Sequence, residues 1–197
     1  MIIPKNDKRE TRTFVVSELR AVAEDGKITK IVGHAAKFNS MSEDLCGFHE
    51  IIAPGAFSMT IKSADVRALW NHDSNIVLGR NKAGTLRLRE DEEGLYFECD
   101  APDNQLIRDM VLGPISRGDV TQCSFGFRTI TDKWENKDGK VIRTLMDVEL
   151  FDVSPVTYPA YQDTDVAVRS MQNAFKEVPS DTAWQIGLMR RRLALSA

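Results

Sequence analysis

Residues 121–127 read TQCSFGF, and from position 122 onward polar residues or glycine alternate with apolar ones. With the two-residue period of a β-strand, Cys123 and the two phenylalanines share one face. Ser124 and Gly126 lie on the other face, so a hydroxyl group stands opposite an apolar ridge. The pattern fits a half-buried strand with a surface serine. It also fits a nucleophile on a rigid strand, which would need a base and an orienting acid from elsewhere in the chain.

The composition is that of a soluble globular protein. The chain has 197 residues, 42% of them hydrophobic and 28% charged, which suits one domain with a proper core. The formal net charge of −3 gives no general reason to expect nucleic acid as a partner. No apolar run approaches the roughly 20 residues of a membrane span, and the first residues are polar, so we expect neither a membrane partner nor a secretory signal.

Cysteine and histidine spacing argues against a metal site. The three cysteines form no C-x-x-C pair, so we expect reduced thiols. The three histidines have none of the spacings of a structural zinc site. We therefore expect neither a metal nor any other cofactor.

Most segments have the pattern of short strands. Residues 85–99 predict a β-hairpin, because two leucines alternate with arginines before the turn at 91–94. The strand with Ser124 is expected to run to Thr131, and residues 141–157 return as one or two strands. Residues 13–22 predict another strand, followed by a turn and a returning strand over 28–38.

Two internal helices are predicted. A short one follows the PGAF motif over residues 58–64, and a longer one covers residues 104–116, where apolar residues recur at helical spacing. Asp103 is its candidate N-cap, and Pro114 should kink or end it near residues 112–113. Together the elements predict a mainly β protein of the α+β class. Its strands would form a β-barrel or strongly curved sheet with helices outside it.

Four segments are predicted along the chain. Residues 1–11 form a flexible N-terminus, 12–162 the folded domain, 163–179 a linker and 180–197 a C-terminal helix. Ser180 caps that helix, and Asp181 in the first turn suits the helix dipole, as do three arginines in the last turn.

Histidine is the natural base because its unperturbed pKa lies near neutral pH. His72 is the best candidate, since residues 65–72 predict a buried strand that ends there and a loop follows as far as residue 80. His34 lies among small residues and can be a core histidine. His49 lies in a predicted edge segment.

The orienting acid should be a carboxylate held near the apolar interior. Asp152 lies between Phe151 and Val153, and an acid within an apolar strand is costly unless it is paired. Asp147 and Glu149 lie in a more polar run and are weaker candidates.

Four motifs in this order resemble one known family. They are PGAF at 54–57, WNHD at 70–73, TQCSFGF at 121–127 and FDVSPVTYPAY at 151–161, with EDEEGL at 90–95 between two of them. The chain resembles the prohead proteases of tailed bacteriophages, head-maturation serine proteases that are related in fold to the herpesvirus assemblins. The resemblance runs from about Phe14 to Asp165.

The resemblance implies an assemblin-like closed or strongly curved β-barrel surrounded by a few helices. It implies Ser124 as nucleophile, His72 as general base and Asp152 as orienting acid. The family often has glutamate at the third position, and assemblins use a second histidine, so Asp152 is the least secure of the three. Cys123 stands where the family commonly has an apolar residue such as methionine.

The implied function is that of a serine endopeptidase in phage head assembly. Its substrates would be the scaffolding protein or the scaffold-like region of the major capsid protein, and also the enzyme itself. The enzyme would form a homo-oligomer inside the assembling prohead, in the host cytoplasm. Two alternatives stay open: a non-catalytic scaffold or assembly protein with the same fold, which associates through the helix at 180–196, and a cysteine hydrolase that uses Cys123.

Overall fold

The computed structural model describes residues 9–15, 19–24, 27–45 and 47–158. Its strands are β1 (Glu10–Val15), β2 (Arg20–Glu24), β3 (Lys27–Lys37), β4 (His49–Ile52), β5 (Arg67–Trp70), β6 (Asp73–Arg80), β7 (Leu86–Glu90), β8 (Gly94–Asp100), β9 (Gln122–Lys137) and β10 (Lys140–Val156). The helices are α1 (Ser58–Ser63), a 3₁₀ turn (Asn81–Ala83), α2 (Gln105–Ile107), a π turn (Arg108–Leu112) and α3 (Gly113–Arg117).

The described strands form two sheets. One has the order β1-β9-β10-β5-β6, and β4 pairs with β10 beside this path. The other has the order β2-β3-β8-β7. The expected class, mainly β with a few helices and a strongly curved sheet, is confirmed.

The antiparallel pair β9 and β10 is the longest element of the fold. The two strands pair from Gln122 opposite Val156 to Lys137 opposite Lys140. Three register shifts interrupt the pairing, and such bulges bend a sheet and increase its twist. The predicted return of residues 141–157 beside the Ser124 strand is confirmed, as is the hairpin over 85–99, which β7 and β8 form.

The apolar face of TQCSFGF lies in the main core, as the alternation predicts. Cys123, Phe125 and Phe127 are each 0% exposed. The ring of Phe125 packs edge-on against Phe57, at 5.4 Å between centroids, and lies 4.9 Å from the ring of Phe127. This packing fixes the orientation of β9, so its opposite face has a defined direction as well.

The single strand predicted over 13–22 is wrong. Glu10–Val15 pairs with β9 in one sheet, whereas Arg20–Glu24 pairs with β3 in the other. β1 also begins at Glu10, two residues before the predicted start of the domain, because the carboxylate of Glu10 is buried and bound by Arg12 and Arg143. Strand patterns give the local conformation but not the partner, since pairing between distant segments depends on tertiary contacts.

The predicted helix over 104–116 is present, but its details differ. Asn104, not Asp103, is the N-cap, because its side chain accepts a hydrogen bond from the amide of Ile107. A π turn over Arg108–Leu112 comes before Pro114. Proline lacks an N–H group and clashes with the carbonyl four residues earlier, so the wider turn lets the helix continue to Arg117.

The other predicted segments lie outside the described residues. These are most of the N-terminal segment, the end of the domain at 162, the linker at 163–179 and the helix at 180–197. Within the described part of the chain, no helix has the length and apolar character needed to cross a membrane.

Candidate active site

Ser124 lies on β9, on the face opposite the core phenylalanines. It is 0% exposed and stands between Thr13 of β1 and Ser154 of β10 in the strand register. Gly126 follows on the same face, opposite Asp152. The predicted division of the strand into an apolar face and a hydroxyl face is therefore present.

His72 lies in the two-residue turn between β5 and β6. Asn71 and His72 have φ angles of 52° and 59°, the left-handed values of a type I′ hairpin. The predicted strand through His72 thus ends two residues early, at Trp70, and the predicted loop over 73–80 is strand β6 instead. From this turn the imidazole of His72 reaches Ser124 of β9 and Asp152 of β10.

The turn is tied to the end of β10. The amide of Asn71 donates to the carbonyl of Pro155 at 3.0 Å, and the side-chain carbonyl of Asn71 accepts from the amide of Thr157 at 2.9 Å. A non-glycine residue with positive φ persists where surrounding contacts over-determine it. These two bonds are such contacts, and they hold His72 against the strand that carries Asp152.

Asp152 lies on β10 directly after a bulge. Leu150 pairs with Phe127 and Asp152 pairs with Gly126, so Phe151 has no partner of its own. The extra residue moves Asp152 to the face opposite Leu150, the same face as Ser124. Asp152 is 1% exposed.

The missing side chain at Gly126 makes room for this carboxylate. A Cβ atom at position 126 would lie 2.2 Å from Asp152 Oδ2. A glycine within a strand often marks the close approach of another group, and at Gly126 that group is the carboxylate of Asp152.

The three predicted residues meet in one hydrogen-bonded chain. His72 Nε2 lies 2.6 Å from Ser124 Oγ, and His72 Nδ1 lies 2.6 Å from Asp152 Oδ1. A carboxylate only accepts, so Nδ1–H donates to Asp152 and Nε2 of the neutral ring is left as an acceptor. Ser154 Oγ donates to Asp152 Oδ1 at 2.6 Å, and Arg9 contacts Oδ2.

The electrostatics keep Asp152 ionised. Burial raises the pKa of this carboxyl, but the hydrogen bonds from His72 and Ser154 and the charge of the Arg9 guanidinium lower it more. The pKa of Asp152 therefore lies below its usual value of 3.8. A buried anion beside Nδ1 stabilises a positive charge on the imidazole, so the arrangement can accept a proton from Ser124.

The other histidines and acids have separate partners. His34 Nε2 lies 3.0 Å from the carboxylate of Asp91 and packs edge-on against Tyr96, as a core histidine. His49 Nδ1 lies 3.0 Å from the carbonyl of Ser42. Glu149 binds Arg128, on the strand beside it.

Cys123 is unsuited to nucleophilic chemistry. It is fully buried on the core face, and burial raises the pKa of its thiol. The thiolate is the reactive form of cysteine, so this thiol is inert in its present surroundings. The observation argues against the cysteine hydrolase.

Sequence reasoning missed several neighbours of the site. Arg9 and Ser154 contact Asp152, and Asn71 ties the turn that carries His72 to the end of β10. Ser154 alternates with Asp152 along β10, so the period-two rule could have placed it on the same face. Nothing in the sequence around Arg9 indicates that β1 lies beside β9.

Two sequence comparisons match this chain to known proteins. The family model of the caudovirus prohead serine proteases matches residues 16–177. The prohead protease of Escherichia phage T5 is 27% identical over an alignment of 150 residues that covers 74% of this chain. The chain spans 65% of the length of that relative.

Among solved structures, the bacteriophage T4 capsid assembly protease matches with a TM-score of 0.49 and 10% identity, over 78% of this chain and 100% of that one. The family match covers most of the 197 residues. The chain therefore belongs to the caudovirus prohead serine protease family.

Proposed function

We propose that this chain is a serine endopeptidase of phage head maturation. Ser124 is the nucleophile, His72 the general base and Asp152 the orienting acid. The observation that carries the proposal is the pair of 2.6 Å contacts that join Ser124 to His72 and His72 to Asp152. A nucleophile bonded to a base, which is bonded in turn to a buried acid, is the recurring arrangement of acyl-transfer enzymes on unrelated folds.

The reaction is acyl transfer in two halves. Ser124 Oγ attacks the carbonyl carbon of a peptide bond while His72 Nε2 takes its proton. The same proton passes to the leaving amine as the C–N bond breaks, which leaves an acyl-enzyme ester. Water then attacks the ester carbonyl carbon and gives a proton to His72. The bond between that carbon and Ser124 Oγ breaks, His72 returns the proton to Oγ, and the carboxylic acid product is released. Asp152 holds the ring orientation and stabilises the imidazolium in both halves.

The oxyanion donors are not assigned to residues. By analogy with the assemblins, the loop after Thr157 is one candidate. The amide of Thr157 itself is bound to Asn71, and the chain beyond Tyr158 lies outside the described residues.

The proposed substrates are the scaffolding protein and the scaffold-like region of the major capsid protein, with self-cleavage as a third reaction. The enzyme works inside the assembling prohead in the host cytoplasm, as a homo-oligomer. The support is membership of the prohead protease family and the name of the T5 relative.

Co-expression with the major capsid and scaffolding proteins of the same genome tests the proposal. Intact masses are compared for the wild type, Ser124→Ala and His72→Ala. We expect shortened capsid or scaffolding protein with the wild type only. His49→Ala is the matched control, since it removes a half-buried histidine away from Ser124 and should still cut. Unshortened substrates in wild-type shells would instead favour a non-catalytic assembly protein.

A further inference from the structure

Gln122 lies next to the proposed nucleophile, on the polar face of β9. The two long strands pair without a register shift here, with Gln122 opposite Val156 and Ser124 opposite Ser154. The two-residue period therefore puts Gln122 and Ser124 on one face, with their Cα atoms roughly 7 Å apart. This end of β10 is also where the turn that carries His72 is bonded to the strand.

The side-chain oxygen of Gln122 is buried and has no hydrogen-bond donor among the described residues. Buried polar atoms in proteins are nearly always bonded, because an unpaired acceptor loses its bonds to water and gains none within the protein. An exception therefore needs a reason. At a binding site, the reason is a donor that arrives with the ligand.

The polar neighbours of Gln122 on this face do have partners. Ser124 Oγ lies 2.6 Å from His72 Nε2, and Ser154 Oγ donates to Asp152 at 2.6 Å. The oxygen of Gln122 takes no part in this hydrogen-bonded chain, so the chain does not explain why a glutamine is present. An apolar side chain of similar shape would fill the position without the cost of an unpaired acceptor.

We propose that Gln122 is a substrate-binding residue, whose side-chain oxygen accepts a hydrogen bond from a main-chain N–H group of the polypeptide within two residues of the scissile bond. The inference rests on the proposed function. An extended chain advances about 3.3 Å per residue, so N–H groups two residues from the carbonyl at Ser124 come level with Gln122. Because both residues lie on one face of β9, the peptide that reaches Ser124 also passes Gln122.

This contact sets a preference among substrates. A carbonyl group cannot donate a hydrogen bond, and proline has no N–H group. A peptide with proline at the position that faces Gln122 leaves the acceptor unpaired, and it is cleaved more slowly than a peptide with another residue there. The proposed partner of Gln122 is therefore an extended segment of protein that has a free N–H group at this position.

The stability of Gln122→Met tests whether the acceptor is unpaired in the free protein. Methionine has a similar length and lacks the oxygen, so the urea concentration at the midpoint of unfolding should be unchanged or higher. Thr60→Val is the matched control, because it removes a buried acceptor that has a partner. Thr60 is 5% exposed, and its hydroxyl accepts from the amide of Leu150 at 2.9 Å. Its loss should lower the midpoint.

Peptides that span the cut found by intact mass in the co-expression experiment test the contact itself. Each main-chain N–H within two residues of the scissile bond, other than that of the bond itself, is replaced in turn by an ester oxygen. One replacement should lower kcat/KM of the wild type about 3- to 10-fold, the value of one hydrogen bond. Gln122→Met should lose about as much on the unmodified peptide and nothing further on that ester, since the contact is already absent. Thr60→Val should respond to the esters as the wild type does.

Two results would overturn the inference. One is an effect of every ester that is equal in the wild type and in Gln122→Met. The other is a lower unfolding midpoint in both Gln122→Met and Gln122→Leu, which would show that the oxygen already has a donor in the free protein, either a protein group or a bound water. Failure of the proposed function is distinct, although the inference falls with it. A fluorophosphonate probe then leaves Ser124 unlabelled and no peptide is cut, while the midpoints of Gln122→Met and Thr60→Val still differ.

Discussion

Gly126→Ala should disrupt the site by displacing Asp152. The added Cβ would lie 2.2 Å from Asp152 Oδ2, whereas real Cβ contacts below 3.0 Å essentially never occur. The difference between 3.0 and 2.2 Å is about 0.8 Å, the least distance that the carboxylate must move. Asp152 cannot yield freely, since Oδ1 is bound by both His72 and Ser154 at 2.6 Å.

The size of the effect follows from this displacement. A movement of ~0.8 Å directly away would stretch the His72–Asp152 contact beyond the usual 2.7–3.2 Å of a hydrogen bond. A misplacement of about 1 Å costs roughly 10²-fold in rate, and loss of the orienting acid's function about 10⁴-fold. We therefore expect kcat/KM for capsid-protein cleavage to fall by between about 10²-fold and about 10⁴-fold relative to the wild type. The free energy of unfolding should fall by only about 1–3 kcal/mol, the usual cost of overpacking.

The assay measures cleavage rate and thermal unfolding on the same preparations. Gly139→Ala is the matched control, because its φ of 75° makes alanine strained while no atom lies within 4 Å of the new Cβ. A left-handed alanine costs roughly 1–2 kcal/mol, so the control loses stability without touching the site. If Gly126→Ala is folded and cleaves at the wild-type rate, the assignment of Asp152 as the orienting acid is refuted.

Three further predictions concern the surroundings of the site. Ser154→Ala removes one of two donors to Asp152 Oδ1. The value of kcat should fall about 10-fold with KM unchanged, since a charge-assisted hydrogen bond is worth ~1.5–3 kcal/mol. A change in KM alone would contradict this positioning role of Ser154. Asn71→Gly keeps the positive φ but deletes the acceptor for the Thr157 amide, and cleavage should slow about 10-fold with under 1 kcal/mol lost from the free energy of unfolding. Because the pKa of Asp152 is lower in the folded state, its carboxylate stabilises the fold at pH values above the usual 3.8, and this stabilisation is lost as the pH falls through the folded-state pKa. The free energy of unfolding, measured with urea from pH 7 to pH 3, should therefore decrease less on acidification in Asp152→Asn than in the wild type.

Period-two alternation predicted the parts of the fold and site that depend on local pattern. It places Cys123 in the core and Ser124 on the opposite face. It also places Asp152 and its apolar neighbour Val153 on opposite faces of β10. The bulge at Phe151 lies before both residues, so the alternation of faces is regular from Asp152 onward. Each of these predictions needs only the local direction of side chains along a strand.

The parts that sequence reasoning did not reach depend on distant pairing or unusual backbone. Asn71 alone is a weak signal for a type I′ turn, since the second turn position is His72 rather than glycine. The separation of β1 from β2 depends on a cluster in which Glu10 meets Arg143 from the other end of the domain. Pattern analysis treats polar residues such as Glu10 as exposed, so it cannot detect a buried network whose charges compensate one another.

The most direct test of the central claim is to map where a fluorophosphonate reacts. The wild type, Ser124→Ala and His72→Ala are incubated with the probe, digested, and searched by mass spectrometry for the adduct. We expect an adduct on Ser124 in the wild type, none at position 124 in Ser124→Ala, and a loss of about 10⁴-fold or more in labelling rate in His72→Ala. A wild type without an adduct on Ser124, or a His72→Ala variant that reacts as fast as the wild type, would contradict the assignment of Ser124 as nucleophile and His72 as base.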